Sequence, residues 1–295
     1  MRGKKAVFFT ILAFIFVNIF LISYQTEVTD TPVHTISAIR SRINMMNSFI
    51  ESLEDDAQRA LYISSFRAIV TLDNHIVNTQ QPVEIPKDYY ELMFNGTLNG
   101  SSVLLMDEQT VGTWRERVEE LALLQDLNLT LSYQNLTINH SSPWHLISTM
   151  HINYTLEDQK GTALFTRERK ISTRMLITDW HDPLFSIRLA GSRQVFKANT
   201  TDLSTTLAEH VSKGYYAANP DAPSFLMRME NKTGSSSYGI ETILNVTSLG
   251  LSNPSYHSTV DHEFWSGSPP SGQETPVGDI YLDNAHCTYY NVTCS

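Results

Sequence analysis

Residues 33–78 read VHTISAIRSRINMMNSFIESLEDDAQRALYISSFRAIVTLDNHIVN and contain neither proline nor glycine. Pro32 comes directly before them, and proline is well tolerated in the first turn of a helix. Apolar or small residues recur at spacings of three and four, which is typical of one face of an α-helix. These positions are Ile36, Ile39, Ile43, Met46, Ile50, Leu53, Ala57, Ala60 and Ser64. The pattern predicts a helix of about 70 Å with one packing stripe, which either the chain's own domain or partner helices would cover.

The segment that precedes this helix predicts a membrane anchor. Residues 6–24 carry no formal charge, and at helical rise nineteen residues span about 30 Å, the thickness of a bilayer core. Three basic residues come before the stretch and acidic residues follow it, which places the N-terminus in the cytoplasm. We therefore expect residues 1–26 to form a cytoplasmic tip and a transmembrane helix. Residues 27–80 would form the long amphipathic helix, and the C-terminal head would be extracellular.

The charge of the chain excludes one class of function. The 295 residues contain 21 Lys and Arg against 31 Asp and Glu, so the formal net charge is −10. A nucleic-acid-binding protein would instead carry a basic surface. The first 26 residues carry a formal net charge of +3 and the remaining residues one of −13, so the two parts are oppositely charged.

Beyond residue 80 the hydrophobic period changes from about four residues to two. Residues 113–125 predict a second helix, whereas alternation of apolar and polar side chains predicts half-buried antiparallel strands. We expect strands at residues 89–94, 103–106, 127–133, 136–139, 144–156 and 163–177. The fold class is therefore α+β, with the long helix packed on an antiparallel sheet domain at residues 81–179.

The last third of the chain is less regular and predicts a β-rich subdomain at residues 180–295. Residues 202–213 predict a short helix that begins at Asp202 and ends before Gly214. The other segments are candidate strands at residues 225–230, 240–246, 256–265 and 279–282, with a flexible loop at 266–276.

Ten Asn-x-Ser/Thr sequences predict N-glycosylation sites. Ten of the thirteen asparagines from residue 95 onward lie in such a sequence, and none of the five before it does. The alternative is that Asn-x-Thr arises on the polar face of a strand, where residues i and i+2 point the same way. The candidate sites are Asn95, Asn99, Asn128, Asn135, Asn139, Asn153, Asn199, Asn231, Asn245 and Asn291.

The two cysteines predict one small disulfide loop. Cys287 and Cys294 are seven residues apart near the C-terminus, and an oxidising compartment would favour a bond between them. Zinc would require two further ligands, and His286 is one candidate. We expect the disulfide.

Histidines beside carboxylates form the strongest chemical pattern in the sequence. His181-Asp182 and Asp261-His262 could converge with Asp283 and His286 as a metal-binding set. Their spacing matches no ligand motif such as HExxH, and turns or hydrogen bonds would also explain them. The sequence also lacks G-x-S-x-G and a glycine-rich phosphate loop. We therefore predict no catalytic, cofactor-binding or metal-binding residues and a protein that is not an enzyme.

The N-terminal 80 residues resemble type IV pilins and pilin-like proteins of the archaeal kind. A basic segment, a small residue and an apolar helix that continues into a long amphipathic helix carry this resemblance. In that family a peptidase cuts between the basic segment and the apolar helix, which implies processing between Ala6 and Val7. Many bacterial members have glutamate at the fifth mature position, where this chain has Ile11. This difference favours a minor pilin-like component or a simple anchored surface protein.

The resemblance implies a membrane-anchored extracellular glycoprotein that serves as a structural or assembly subunit of a surface filament. Its partners would be the membrane and other helices, through self-association or through other pilin-like subunits, with no nucleic acid and no cofactor. Two alternatives stay open: an anchored receptor or adhesin that does not polymerise, and a membrane-tethered enzyme.

Overall fold

The computed structural model describes residues 31–251, 258–267, 275–277 and 280–293, with the backbone alone at 31–35 and 275–277. The architecture is α+β, and its largest sheet is antiparallel. The helices are α1 (Thr31–Thr79), α2 (Lys87–Asn95), α3 (Val111–Leu123), α4 (Pro183–Leu189), α5 (Leu207–Lys213), α6 (Phe225–Met229), α7 (Asp261–Ser266) and α8 (Asn284–Tyr289), with a 3-10 turn at Leu104–Met106.

The strands form four sheets. The first four strands are β1 (Thr97–Leu98), β2 (Ser101–Ser102), β3 (Leu127–Ser142) and β4 (His145–Asp158). The others are β5 (Leu164–Leu176), β6 (Phe196–Lys197), β7 (Tyr215–Ala218), β8 (Ile240–Thr242), β9 (Thr275–Val277) and β10 (Ile280–Leu282). They pair as β1-β2, β3-β4-β5, β6-β7-β8 and β9-β10, and β6-β7 is a parallel pair.

Helix α1 is 49 residues long and measures about 74 Å at helical rise. It ends because Gln80 adopts a left-handed conformation with φ 58°, and Pro82, two residues later, has no backbone N–H to continue the helix. Along the stripe, Met46, Ile50, Leu61, Leu72 and Ile76 are at most 1% exposed. The distal part of the predicted packing face is thus buried by the head.

The β3-β4-β5 sheet supplies the surface that buries α1. Its inward side chains alternate along each strand, as in Leu127, Leu129 and Leu131. At Asn135 the alternation changes phase because a bulge places two residues of β3 opposite one of β4. Leu136 and Ile138 therefore face the same core as the residues before the bulge.

Polar side chains fix the helix against this sheet at its margin. Glu54 of α1 accepts hydrogen bonds from the Tyr154 hydroxyl at 2.5 Å and from Arg169 Nε at 2.9 Å. Asp56 accepts from the Trp114 indole on α3 at 2.7 Å. These contacts give α1 a fixed rotation about its own axis.

Arg42 binds the edge of the head at the point where α1 enters it. Its guanidinium contacts the Asp158 carboxylate at 2.8 Å and donates to the backbone carbonyls of Gln125 and Asp126. It therefore joins the helix to the end of β4 and to the turn before β3.

The buried apolar side chains form two clusters. The larger cluster contains α1, α2, α3 and the long sheet, together with Val195, Tyr216, Phe225 and Ile240 from the last third of the chain. The smaller cluster contains Leu203, Val211, Ala217, Ile243, Val260, Ile280, Leu282, Cys287 and Tyr290. The predicted division at residue 180 stays a prediction.

Three predicted strands are helices instead. Residues 89–94 lie in α2, 225–230 contain α6, and the described part of 256–265 contains α7. Local capping explains two of these outcomes, because the Ser224 side chain accepts from the Met227 N–H at the start of α6 and Gly96 ends α2 in a left-handed conformation. In addition, the strand predicted at residues 103–106 contains the 3-10 turn Leu104–Met106 instead, and the helix predicted at 202–213 begins only at Leu207.

The predicted transmembrane helix is corrected. Within the described part of the chain, no helix is both long enough and apolar enough to cross a membrane. Helix α1 has the length but carries charged residues such as Arg40, Glu51 and Asp55. The predicted span at residues 6–24 lies outside the described residues. The finding contradicts the single-pass membrane anchor and the localisation with an extracellular head, and neither prediction is retained.

The predicted disulfide between Cys287 and Cys294 stays a prediction. Cys287 is the only cysteine among the described residues, and Cys294 lies outside them. Cys287 is not a free cysteine. Cys287 itself is 6% exposed and packs in the smaller apolar cluster.

His140 of β3 is hydrogen-bonded to α6. Because its side chain is half-buried, we expect the stability of the fold to depend on pH. Its Nε2 accepts from the Leu226 backbone N–H at 3.3 Å, which requires an unprotonated nitrogen. Burial lowers the pKa of His140 to about 4, although the Ser142 carbonyl opposes this shift. Between pH 6.5 and 4 the unfolded chain therefore binds more protons, and the free energy of unfolding falls as the pH falls.

We expect His140→Gln to remove about 2 kcal/mol of the stability difference between pH 7 and pH 5. Glutamine keeps an acceptor for the Leu226 N–H but does not titrate. Urea unfolding of both proteins at the two pH values measures the difference. An equal loss of stability in both proteins on acidification would contradict the assignment.

Candidate functional site

The first turns of α1 project beyond the head. Residues 36–41 are all exposed, and the large side chains of Ile36 and Ile39 are 61% and 40% exposed. From Met46 onward the same stripe is buried by the sheet. The helix therefore carries a single packing stripe that the head covers only in part.

The spacing along this stripe is that of a coiled coil. Ile36, Ile39, Ile43, Met46 and Ile50 follow one another at intervals of three, four, three and four residues. Such alternation places side chains at positions a and d of a heptad, which face a neighbouring helix. We call the part before Met46, which contains the exposed Ile36 and Ile39 and the half-buried Ile43, the proximal seam.

The candidate glycosylation asparagines all lie at the surface or near it. Three of them, Asn153, Asn231 and Asn245, are half-buried. The other seven, Asn95, Asn99, Asn128, Asn135, Asn139, Asn199 and Asn291, are exposed. The processing residues Ala6 and Val7 lie outside the described residues.

A second candidate site is a buried cluster of histidines and carboxylates. Glu241 lies on β8, His262 in α7 and His286 in α8. These three residues are 0%, 5% and 5% exposed, respectively. Each offers one ligand atom, and the three atoms lie within 4.8 Å of one another. We call these three residues the histidine centre.

Glu241 lies between the two imidazoles. Its Oε2 is 3.2 Å from His262 Nε2 and 3.3 Å from His286 Nε2. The Asn219 amide donates to the same oxygen at 2.9 Å, and the Tyr290 hydroxyl donates to Oε1 at 2.6 Å. Burial alone would raise the pKa of Glu241, but hydrogen bonds from the two histidines hold that pKa well below its usual range. The carboxyl group is therefore ionised.

Asp283 orients the His286 ring from the other side. Its Oδ1 lies 3.0 Å from His286 Nδ1 and also accepts the His286 backbone N–H at 2.7 Å, which caps α8. Burial opposes the charged imidazole, but the carboxylates of Asp283 and Glu241 raise the pKa of His286 to about 10. Glu263 Oε2 lies farther away, at 3.7 Å from Nδ1.

Next to the histidine centre is a fully buried arginine. Arg228 Nη1 lies 2.9 Å from Asp182 Oδ2 and 2.7 Å from Asp261 Oδ2, and Nη2 donates to the Ile240 carbonyl. Tyr216 donates to Asp182 at 2.7 Å, and its ring lies 5.7 Å from the guanidinium carbon. We call Arg228, Asp182 and Asp261 the arginine pocket.

The structure brings together most of the histidine and aspartate residues that the sequence singled out. His262 and His286 belong to the histidine centre, Asp283 contacts His286, and Asp182 and Asp261 contact Arg228 in the arginine pocket. His181 does not join them, since its Nδ1 contacts Asp73 of α1 at 3.1 Å. No metal-binding residues were predicted from the sequence, in which this convergence was only an alternative.

Sequence reasoning missed Glu241 and Arg228, which hold the two groups of residues together. One signal was available for each. Glu241 stands in the apolar run Ile240–Thr242 followed by Ile243 and Leu244, and Arg228 stands between Met227 and Met229. A charged residue within a buried apolar run normally has a buried partner.

Comparison of the chain with protein-family models, with curated proteins and with solved structures gave no match.

Proposed function

We propose that this protein is a structural or assembly subunit of a filament, of the type IV pilin-like kind, and that its copies associate through α1. The proximal seam carries the proposal: Ile36 and Ile39 are exposed, although they continue the stripe that the head buries from Met46 onward. A seam of isoleucines at a and d positions is buried when helices of identical copies pack in parallel.

The proximal seam ends before Met46. From Met46 onward the head of the same chain buries the stripe, so a neighbouring helix can pack on the stripe only before that residue. Copies would therefore meet along the proximal part of α1 and diverge where the heads begin. This division of one stripe between neighbours and the chain's own head agrees with a subunit that polymerises through its N-terminal helix.

The charges that flank the seam permit parallel packing of identical copies. With Ile36 at position a, Arg40 is at position e and Arg42 at position g. In a parallel pair, a g residue meets the e residue of the next heptad on the neighbouring helix. Arg40 would therefore meet Thr35, whereas Arg42 contacts the Asp158 carboxylate of its own head, so no like charges are opposed.

We expect a photo-crosslinking amino acid at Ile39 to join two copies of the full-length chain in high yield. The same group at Ser41 is the matched control, because Ser41 is exposed but lies away from the seam. Mass spectrometry of the crosslinked product measures which residues are joined, and the proximal seam of a second copy is the expected partner. Equal crosslinking from both positions, or none from Ile39, would contradict the proposal.

Ile39→Asp tests the same contact without a crosslinker. We expect the variant to lose self-association while its free energy of unfolding changes by less than about 0.5 kcal/mol, because Ile39 is 40% exposed and lies outside the two apolar clusters of the described residues. Sedimentation measures association and urea unfolding measures stability, with Ser41→Asp as control. A chain that acts singly, such as a receptor or adhesin, would sediment as a single copy before and after the substitution.

A further inference from the structure

We infer that Glu241, His262 and His286 bind one divalent transition-metal ion of the Zn²⁺ class. Two imidazole nitrogens and one carboxylate oxygen form a ligand set that Zn²⁺ accepts readily, whereas Mg²⁺ and Ca²⁺ prefer oxygen ligands alone. This inference does not depend on the proposed assembly through α1.

The spacing of the three side chains suits a small ion. A tetrahedral ion with bonds of about 2.0 Å separates its ligand atoms by about 3.3 Å. Glu241 Oε2 lies 3.2 Å from His262 Nε2 and 3.3 Å from His286 Nε2. These two separations are therefore close to the spacing that an ion requires, and the ligand atoms of all three residues lie within 4.8 Å of one another.

The outer hydrogen bonds also suit a metal centre. A metal-binding histidine usually directs its second nitrogen to a carboxylate, which fixes the ring. Asp283 does this for His286, and Tyr290 and Asn219 hold the Glu241 carboxylate. The alternative set of Glu263, Asp283 and His286 is less suitable, because it has one histidine and Asp283 already caps α8.

The charges around the histidine centre leave room for a divalent cation. Asp182 and Asp261 contact the Arg228 guanidinium, whereas Glu241, Glu263 and Asp283 contact histidine side chains. Cationic histidines could also balance the negative charge of these carboxylates, and the same short contacts would then be ordinary ion pairs. Metal binding by the protein distinguishes these two arrangements.

An ion at this position would connect three elements that are distant in the sequence. The ligands lie on β8, α7 and α8, whose neighbouring side chains form the smaller apolar cluster. Because only the folded chain brings the ligands together, the ion would stabilise the fold. Three protein ligands leave a coordination position for water.

The first experiment measures metal content and thermal stability of the full-length chain. After treatment with a chelator and dialysis against ZnCl₂, we expect about one zinc per chain and a melting temperature that rises with free Zn²⁺. MgCl₂ at the same concentration should leave the melting temperature unchanged. Less than about one tenth of a zinc per chain, or equal effects of both salts, would overturn the inference.

Substitutions then locate the ion. We expect Glu241→Gln and His286→Gln each to weaken Zn²⁺ binding at least tenfold. His210→Gln is the matched control, since His210 is equally buried in the same part of the fold but its Nε2 has no hydrogen-bond partner among the described residues. Equal Zn²⁺ affinity in all three variants would place the ion elsewhere and overturn the inference.

Cobalt gives a reading that does not depend on the folding of variants. The unmodified chain loaded with Co²⁺ should show the strong visible absorption of a tetrahedral or five-coordinate site, and Zn²⁺ should remove it by competition. The weak absorption of hydrated, six-coordinate Co²⁺ would overturn the inference even if the Glu241 and His286 variants do not fold.

Discussion

Replacement of Arg228 by methionine is expected to lower the free energy of unfolding by about 3–5 kcal/mol. Arg228 is fully buried, and its guanidinium contacts Asp182 at 2.9 Å and Asp261 at 2.7 Å. Methionine fills a similar volume but leaves two buried carboxylates without a cation. The cost arises from these stranded charges, since a buried ion pair that is intact contributes little net stability. Urea unfolding at pH 7 measures the change.

Arg117→Met is the matched control for this substitution. Arg117 also contacts a carboxylate at 2.9 Å, that of Glu108, but both side chains of the pair are at least half exposed. We expect this variant to lose no more than about 1 kcal/mol. If Arg228→Met and Arg117→Met lose similar amounts of free energy of unfolding, burial of the ion pair is not the cause of the loss. Arg228→Lys should lie between them, because lysine keeps the charge but cannot reproduce the planar donor geometry.

Leu61→Ala is expected to lower the free energy of unfolding by about 2–5 kcal/mol. Leu61 is 0% exposed and lies on the stripe of α1 that the long sheet covers. The substitution removes three carbon atoms from a packed core, so it forfeits their transfer from water and leaves a cavity. Thermal and urea unfolding measure the loss, which should leave association through the proximal seam unchanged.

Ile63→Ala provides the comparison for Leu61→Ala two residues along the same helix. Ile63 is 42% exposed and lies on the opposite side of α1. The change in helix propensity is similar, but little apolar surface is lost from the core, and we expect a loss below about 1 kcal/mol. Equal losses at both positions would mean that the sheet does not hold α1 through this stripe.

The large elements of the fold could be predicted because each repeats its pattern many times. α1 shows a stripe over nearly its whole length, and β4 and β5 lie within a few residues of the predicted ranges. The helix predicted at residues 113–125 is confirmed as α3. The bulge at Asn135 returns the apolar side chains that follow it to the core side of the sheet. The strands predicted at residues 127–133 and 136–139 are therefore one continuous strand, β3.

The short elements were predicted poorly because a few residues cannot establish a period. α6 has five residues, and its apolar run Phe225–Met229 fits a strand as well as a helix. Its Ser224 cap was the deciding feature. α7 likewise contains only six residues, with Asp261 and Glu263 in its first turn and Gly267 after its end.

The histidine centre could be predicted in part. The pairing of histidine with a neighbouring or nearby aspartate drew attention to His262 and His286, and the structure places them together. Glu241 lies 21 residues before His262 and 45 before His286, and no local pattern connects them. Only the packing of β8 against α7 and α8 reveals that this carboxylate lies between the two imidazoles.

The polar contacts along α1 determine how the molecule would carry a mechanical load. Glu54 with Tyr154 and Asp56 with Trp114 lie beside the same buried stripe. If the N-terminal end of α1 is pulled along its axis, the helix must slide past the sheet, and these contacts and the apolar stripe are strained together in shear. The load is therefore shared along the helix, whereas a force perpendicular to the axis would peel the contacts away one after another.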